Sequence, residues 1–92
     1  MVHPKLQDFI NHTLIPGFYL DVRGAYCIVI NKYLISVFVN SCDEALDVTI
    51  DGISNEGFFD DNIEWETPID YKGLMETIQR FVKYATEHGR SK

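Results

Sequence analysis

The sequence predicts an α+β fold: an antiparallel sheet of about five strands with a short N-terminal helix and a longer C-terminal helix. Three observations favour this fold class. Apolar residues recur at helical spacing near both ends of the chain, and the middle holds short β-rich runs separated by turn residues. A chain of 92 residues has room for a single domain, residues 1–92, so the helices and strands must share one core.

The first predicted element is a short amphipathic helix over residues 4–14. Pro4 suits a first helical turn, because its fixed φ matches the helix and its missing N–H would have no partner there. The run Ile15-Pro16-Gly17 ends the helix, since a residue before proline avoids helical angles. Its apolar side consists of four residues: Leu6, Phe9, Ile10 and Leu14.

Three strands are predicted next. Phe18 to Arg23 alternates in polarity, and Gly24 permits a tight turn into Ala25 to Ile30, a run rich in β-branched residues. Asn31-Lys32 is typical of a two-residue hairpin turn. Tyr33 to Val39 carries apolar residues at both parities, which predicts a central strand covered on both sides or at an interface.

The fourth strand alternates strictly between apolar and polar residues over Ala45 to Asp51. Side chains two residues apart in a strand share a face, so one face of this strand should be buried and the other acidic. The apolar face would hold Leu46, Val48 and Ile50, and the acidic face Asp47, Thr49 and Asp51.

The fifth strand is predicted over Phe58 to Glu66, after the turn residues of the Gly52 to Gly57 segment. Asp61 falls on its apolar side, which indicates a bulge or loop near residues 60 and 61. Its apolar side would hold Phe59, Ile63 and Trp65, opposed by Asp60, Asn62, Glu64 and Glu66.

The C-terminal helix is predicted from about Asp70, a suitable N-cap, through His88, with Gly89 as its stop. Thr67-Pro68 ends the preceding strand. The inward stripe of the helix follows the 3.6-residue period and consists of Leu74, Ile78, Phe81, Val82 and Ala85.

The acidity of the chain is regional. The net charge is −6, yet residues 33–71 contain no lysine or arginine and ten acidic residues. An ordinary solvent-facing surface mixes both signs, because like charges opposite one another across strands are destabilising. The ten acidic residues are Asp43, Glu44, Asp47, Asp51, Glu56, Asp60, Asp61, Glu64, Glu66 and Asp70.

Composition and spacing exclude several functions. A strongly acidic chain repels phosphate, which argues against direct binding of nucleic acid or anionic membranes and favours a partner with a basic surface. No nucleotide-binding, hydrolase, metal or cofactor motif occurs, so no catalytic or metal-binding residues and no cofactor are predicted, and the chain is not expected to be an enzyme.

Without a secretory signal or a membrane-spanning stretch, we expect a cytoplasmic protein. Cys27 and Cys42 are expected to be buried thiols outside any disulfide.

The acidic strands suggest a protein-binding surface. Outward side chains on a strand lie about 7 Å apart and neighbouring strands about 4.8 Å apart, so two acidic strands would form a lattice of carboxylates. Such a pair would present about one charge per 3.4 Å, the spacing of a single DNA strand, so matching a duplex would require a homodimer. The predicted binding residues are Asp47, Asp51, Asp60, Asp61, Glu64 and Glu66.

A short acidic domain with carboxylates ranked along strand faces, such as Asp47, Asp51, Asp60, Glu64 and Glu66, resembles the phage anti-restriction proteins that imitate DNA, the Arn-like proteins. The resemblance implies a stoichiometric inhibitor, without turnover, of a restriction nuclease or a nucleoid protein. The partner would be a basic DNA-binding protein of the host, met in the host cytoplasm.

Two alternatives remain open from the sequence. The chain could be an immunity or antitoxin-type inhibitor that binds one enzyme through an aromatic hot spot, for which Trp65 is the leading candidate. It could also be a non-catalytic assembly domain whose acidic residues serve only solubility. Alanine at Trp65, compared with alanine at Asp60 and Glu64, separates the enzyme inhibitor from the DNA mimic. If the acidic residues serve only solubility, replacing three of them by Asn or Gln leaves partner binding intact.

Overall fold

A computed structural model describes residues 3–13, 15–40, 42, 44–53 and 59–88. For residues 59–61 it describes the backbone and not the side chains. The chain forms the predicted α+β fold, with a short N-terminal and a longer C-terminal helix around a five-stranded antiparallel sheet. In chain order the elements are α1 (Pro4–His12), β1 (Tyr19–Leu20), β2 (Tyr26–Ile30), β3 (Tyr33–Val39), β4 (Leu46–Ile53), β5 (Phe59–Glu66) and α2 (Tyr71–His88).

The sheet is a meander in which each strand pairs with the next one along the chain, in the order β1-β2-β3-β4-β5. β3 is therefore the central strand. Its residues from Leu34 to Val37 are buried on both faces of the sheet. This confirms the prediction that Tyr33 to Val39 forms a central strand covered on both sides. β1 and β5 are the edge strands.

Both helices pack on the same face of the sheet and close the core. α1 contacts β3, and α2 contacts β2, β3 and β4. Burying apolar side chains between these layers supplies the main driving force for folding. The buried core cluster consists of Leu6, Phe9, Ile10, Tyr26, Ile35, Val37, Val48, Ile50, Leu74, Ile78, Phe81 and Ala85.

α1 begins and ends close to its predicted bounds. His3 is its N-cap, because its Nδ1 accepts a hydrogen bond from the backbone N–H of Lys5 at 3.1 Å. The predicted apolar residues Leu6, Phe9 and Ile10 are buried against the sheet. Leu14 lies outside the described residues.

β1 is shorter than the predicted strand over Phe18 to Arg23. The carboxylate of Asp21 accepts hydrogen bonds from the backbone N–H groups of Arg23 and Ala25, at 2.9 and 3.0 Å, and these N–H groups are thereby withdrawn from strand pairing. Gly24 adopts φ 84° in the same turn, an angle that glycine tolerates without strain. The turn therefore begins directly after Leu20.

The Asn31-Lys32 hairpin turn connects β2 to β3 as predicted, with Ile30 paired to Tyr33. Asn31 adopts φ 57°, in the left-handed region. Asparagine is one of the few non-glycine residues that adopt this region readily. Its side-chain amide donates a hydrogen bond to the carbonyl oxygen of Ala85 at 2.9 Å. The turn is therefore attached to the end of α2.

α2 confirms the predicted helix and its cap. Asp70 Oδ1 accepts a hydrogen bond from the backbone N–H of Gly73 at 2.8 Å, which satisfies one of the unpaired donors at the helix start. Gly89, the predicted stop, lies outside the described residues. The predicted inward stripe is buried at Leu74, Ile78, Phe81 and Ala85 and half-buried at Val82.

Two bulges interrupt the pairing of β4 with β5. Ile50 pairs with Glu64 and Asp51 with Asn62, so Ile63 is an extra residue on β5. The register shifts again between Asp51 and Ile53, opposite residues 59–62, which confirms the bulge predicted near residues 60 and 61. Because of these bulges, simple alternation along β5 does not tell which of its side chains point to the same face of the sheet as a given β4 residue.

Candidate functional site

The face of the sheet turned away from α1 and α2 carries most of the polar strand residues, and we call it the far face. The strand registers define it, because residues directly opposite each other in neighbouring strands point to the same side. Its members on β2 to β5 are Cys27, Val29, Leu34, Ser36, Phe38, Asp47, Thr49, Asp51, Asn62 and Trp65.

Asp47 is a fully buried acidic residue of the far face. Its Oδ2 accepts hydrogen bonds from the Trp65 indole N–H at 2.7 Å and from the Asn40 side-chain amide at 2.9 Å. Its Oδ1 is buried and has no hydrogen-bond partner in the described part of the chain. The prediction that Asp47 belongs to an outward acidic surface is wrong in this respect, because the Trp65 and Asn40 side chains lie against it.

Trp65 is the exposed aromatic residue of the far face. It pairs with Thr49 across the strands and packs edge to face on Phe38, with 5.6 Å between ring centroids. Although its N–H is bound to Asp47, 53% of its surface remains exposed. The sequence placed Trp65 on the buried side of β5, and that prediction is wrong.

Glu64 and Glu66 lie on the opposite face of the sheet from Trp65. Their register partners are the buried core residues Ile50 and Val48, so both glutamates point to the helix side. There the Arg80 guanidinium of α2 approaches one oxygen of each, at 3.5 Å for Glu64 and 3.4 Å for Glu66. All three side chains are about half exposed, so each ion pair contributes about 1 kcal/mol or less.

Asp51 is the half-buried carboxylate of the far face. Its Oδ1 accepts a hydrogen bond from the Asn62 side-chain amide at 2.8 Å, which fixes the orientation of the carboxylate. The bulge at Ile63 brings Asn62 to the same face as Trp65, although the two are three positions apart in sequence. The backbone of Asp60 and Asp61 lies in β5, and their side chains fall outside the described part of the chain.

The predicted binding residues are therefore divided between the two faces of the sheet. Asp47 and Asp51 belong to the far face, whereas Glu64 and Glu66 belong to the helix side. The expectation of one carboxylate lattice formed by both strands is wrong for these four residues, because the register of β5 places its glutamates opposite core positions.

A cavity of about 730 Å³ extends along the far face and reaches His3, the N-cap of α1, and Leu6 of the same helix. This volume is in the range of small-ligand sites, about 300 to 1,000 Å³. Ser36, Phe38, Asp51, Asn62 and Trp65 line it, together with the turn residue Arg23. Ser36 was not predicted as a site residue; its signal in the sequence is a hydroxyl in the middle of an otherwise apolar central strand.

The turn at Asp21 borders the same cavity through Arg23. Arg23 donates two side-chain hydrogen bonds to Asp21 Oδ2, from Nε at 2.9 Å and from Nη2 at 2.6 Å. Burial raises the pKa of Asp21, but the hydrogen bond from the Ala25 N–H and the interactions with Arg23 outweigh burial and hold the pKa below its ordinary value of 3.8. Asp21 is therefore a charged partner that compensates the guanidinium of Arg23.

Neither cysteine forms a disulfide. Cys27 is buried on the far face as expected, and this burial raises the pKa of its thiol above the ordinary value of 9.0, which disfavours the reactive thiolate. Cys42 is exposed, so the expectation that it is buried is wrong. In the β3–β4 loop, the Cys42 backbone N–H donates a hydrogen bond to Asn40 Oδ1 at 2.7 Å.

Among the described residues, no group of three histidine, cysteine, aspartate or glutamate side chains is arranged to hold a metal ion. In the same part of the chain, neither helix combines the length and apolar character that crossing a bilayer requires. Comparisons with protein-family models, curated proteins and solved structures found no match to this chain.

Proposed function

We propose that this chain is a non-catalytic, acidic binding protein whose far face binds the basic surface of a DNA-binding protein in place of nucleic acid. The partner would be a protein such as a restriction nuclease or a nucleoid protein, and the outcome inhibition. The observation that carries the proposal is the exposed indole of Trp65, held by the buried Asp47 and flanked by Asp51.

The charge distribution supports a basic partner. No lysine or arginine occurs in β3, β4 or β5, which supply most of the far face. Arg80 lies on the helix side with Glu64 and Glu66, and Arg23 is bound to Asp21. Charge complementarity of this kind increases the association rate and discriminates against acidic partners.

The structure supports a compact binding site on the far face more than an extended row of charges. With Asp47 buried and the β5 glutamates on the helix side, Asp51 is the described far-face strand carboxylate that a partner can reach. Trp65 provides a large amphipathic contact surface next to it, and tryptophan is enriched among interface hot spots. Competition with DNA would therefore act through one basic groove of the partner.

The test uses a tagged copy of the full chain. Proteins that it retains from a host lysate at low salt are challenged with duplex DNA, and the proposal expects the DNA to release the specific partner. Salt should release it too, but any charge-driven complex shows that dependence, so displacement by DNA is the deciding measurement. A partner that remains bound under excess duplex DNA contradicts the proposal.

A matched set of variants locates the contact. Asp51→Asn should weaken capture because it removes the reachable carboxylate, whereas Asp8→Asn on the exposed surface of α1 should leave capture unchanged. Equal capture by the Asp51→Asn variant and the unmodified chain would contradict binding through the far face.

The second candidate function is an immunity or antitoxin-type inhibitor of one enzyme. The edge-to-face pair of Trp65 and Phe38 favours it, because a rigid exposed aromatic group suits an anchor in an enzyme pocket. In that case Trp65→Ala would abolish binding, Asp51→Asn would reduce it only slightly, and duplex DNA would not compete unless the enzyme is a nuclease.

A further inference from the structure

Two polar atoms on the far face, Ser36 Oγ and Asp47 Oδ1, are buried and have no hydrogen-bond partner among the residues that the structure describes. Buried polar atoms are almost always hydrogen bonded, because leaving one unpaired costs about 1–3 kcal/mol. Ser36 is only 4% exposed and lines the far-face cavity. Its hydroxyl is therefore an unused hydrogen-bonding group on a residue that lines a space large enough for a ligand.

The register makes Ser36 and Asp47 diagonal neighbours on the far face. Ser36 pairs with Thr49, and Asp47 precedes Thr49 by two residues on the same strand and the same face. Diagonal neighbours of this kind lie about 7–8 Å apart. Asp47 is fully buried, whereas Ser36 lines the cavity, so the Ser36 hydroxyl is the one of the two groups that can accept a hydrogen bond from a ligand rich in donors.

The cavity also offers an aromatic face. The Trp65 ring is fixed on two sides, by its hydrogen bond to Asp47 and by the edge-to-face contact with Phe38. Its exposed surface lies at the cavity. The face of a tryptophan ring is the preferred aromatic partner of a cation. A guanidinium group is planar and therefore stacks on such a ring.

A carboxylate completes the arrangement. Asp51 lines the cavity, with its Oδ1 oriented by the Asn62 amide. Asp51 follows Thr49 by two residues, so it lies about 7 Å along β4 from the residue that pairs with Trp65. A cation stacked on Trp65 can therefore also reach the Asp51 carboxylate.

Two charged residues at the rim of the cavity affect a cationic ligand in opposite ways. Arg23 lines the cavity, and its two hydrogen bonds to Asp21 Oδ2 compensate its charge. Glu44 lines the cavity as well and adds a negative charge. The described charges around the cavity therefore favour a cation over an anion.

We propose that the far-face cavity binds the guanidinium group of an arginine side chain from the basic partner. An arginine has five donors and no acceptor, which matches a carboxylate, a hydroxyl and an aromatic face better than the point charge of lysine does. The proposal rests on the proposed function, because it identifies which residue of the basic partner the far face recognises.

The first experiment measures recognition without any partner. Trp65 is the only tryptophan, so its fluorescence and the NMR signal of its indole N–H report directly on the cavity. The full chain is titrated with N-acetyl-arginine methylamide and, separately, with the neutral isostere N-acetyl-citrulline methylamide. The arginine compound should shift both signals in a saturable way, and the citrulline compound should not.

Variants assign the effect to the cavity. Asp51→Asn should weaken binding of the arginine compound about ten-fold, as expected for loss of a charge-assisted hydrogen bond, and Ser36→Ala about five-fold. Asp8→Asn, on the exposed surface of α1, is the matched control and should bind like the unmodified chain. NMR spectra of each variant verify that the fold is retained.

Equal responses to the arginine and citrulline compounds, or no response to either, overturn the arginine site. An equal effect of Asp51→Asn and Asp8→Asn does the same. These results leave the proposed function standing if duplex DNA still displaces a captured partner. Conversely, selective arginine binding without a DNA-displaceable partner supports the cavity assignment and contradicts the proposed function.

Discussion

At the level of single residues, the far face depends on the hydrogen bond from the Trp65 indole to the buried Asp47. Trp65→Phe keeps an aromatic ring beside Phe38 but removes the N–H donor. Of the two hydrogen bonds described for the buried carboxyl group, the one from Asn40 then remains. We expect a loss of about 1–3 kcal/mol in the free energy of unfolding, measured by urea denaturation followed by circular dichroism.

Tyr71→Phe is the control for this prediction. It also removes one side-chain donor from an exposed aromatic residue, namely the hydroxyl that lies 2.6 Å from Thr13 Oγ1. Because water can replace that bond at the surface, the change should cost no more than about 0.5 kcal/mol. Equal losses in the two variants would show that burial of Asp47 adds nothing to the cost.

The Asp21 turn makes a pH-dependent contribution to stability. Asp21→Asn keeps Oδ1, which accepts the backbone N–H groups of Arg23 and Ala25, but loses the charged oxygen that binds the guanidinium. Since the Arg23 side chain is 54% exposed, we expect a loss of about 1 kcal/mol or less at pH 7, measured by urea denaturation.

The sign of the pH dependence follows from the direction of the pKa shift. The pKa of Asp21 is lower in the folded protein than its ordinary value of 3.8, so the unfolded chain binds the proton more tightly. The contribution is present above pH 3.8 and disappears as the pH falls through the folded-state pKa. The stability difference between the unmodified chain and Asp21→Asn should shrink over that range, and a constant difference would contradict the assignment.

At the level of elements, α2 depends on its N-cap. Asp70→Ala removes the acceptor for the Gly73 N–H and should cost about 1 kcal/mol, which lowers the melting temperature by about 4–8 °C in a domain of this size. Asp70→Ser retains a capping oxygen and should restore most of the loss. Thermal denaturation followed by circular dichroism measures both, and equal melting temperatures for the two variants would contradict capping by Asp70.

Alternation within β4 and β5 predicted which residues share a face, but it did not predict the orientation of β5. Glu64 and Glu66 do alternate with Trp65, as the sequence indicates. Alternation alone cannot tell which side of an edge strand faces the helices, since that depends on the register with β4. Glu64 and Glu66 of β5 form ion pairs with Arg80 of α2. No local sequence pattern could reveal these contacts, because the two elements are separate segments of the chain.

The helices, by contrast, were predictable because their signals are local. The N-cap at Asp70 and the inward stripe through Phe81 depend only on neighbouring residues. The hairpin at Asn31 follows from turn chemistry in the same way. Burial of Asp47 was not predictable, because its partners Asn40 and Trp65 are brought to it by the sheet and not by their spacing in sequence.

At the level of the whole molecule, the acidity of residues 33–71 is distributed over more than one surface. Asp51 lies on the far face, Glu64 and Glu66 pair with Arg80 on the helix side, and Asp70 caps α2. The sequence alone could not separate these uses, since each requires knowledge of which element lies opposite. One copy of the chain therefore presents a local anionic site on its far face.

An extended imitation of DNA would consequently need two copies of the chain. If the proposed mimicry extends along a duplex-binding groove, light scattering after size-exclusion chromatography should give twice the chain mass of 10.6 kDa. Each far face must remain open to the partner, so Asp51→Asn should leave that mass unchanged. A mass of 10.6 kDa at all protein concentrations would contradict extended mimicry, and recognition would then be confined to the single far-face cavity.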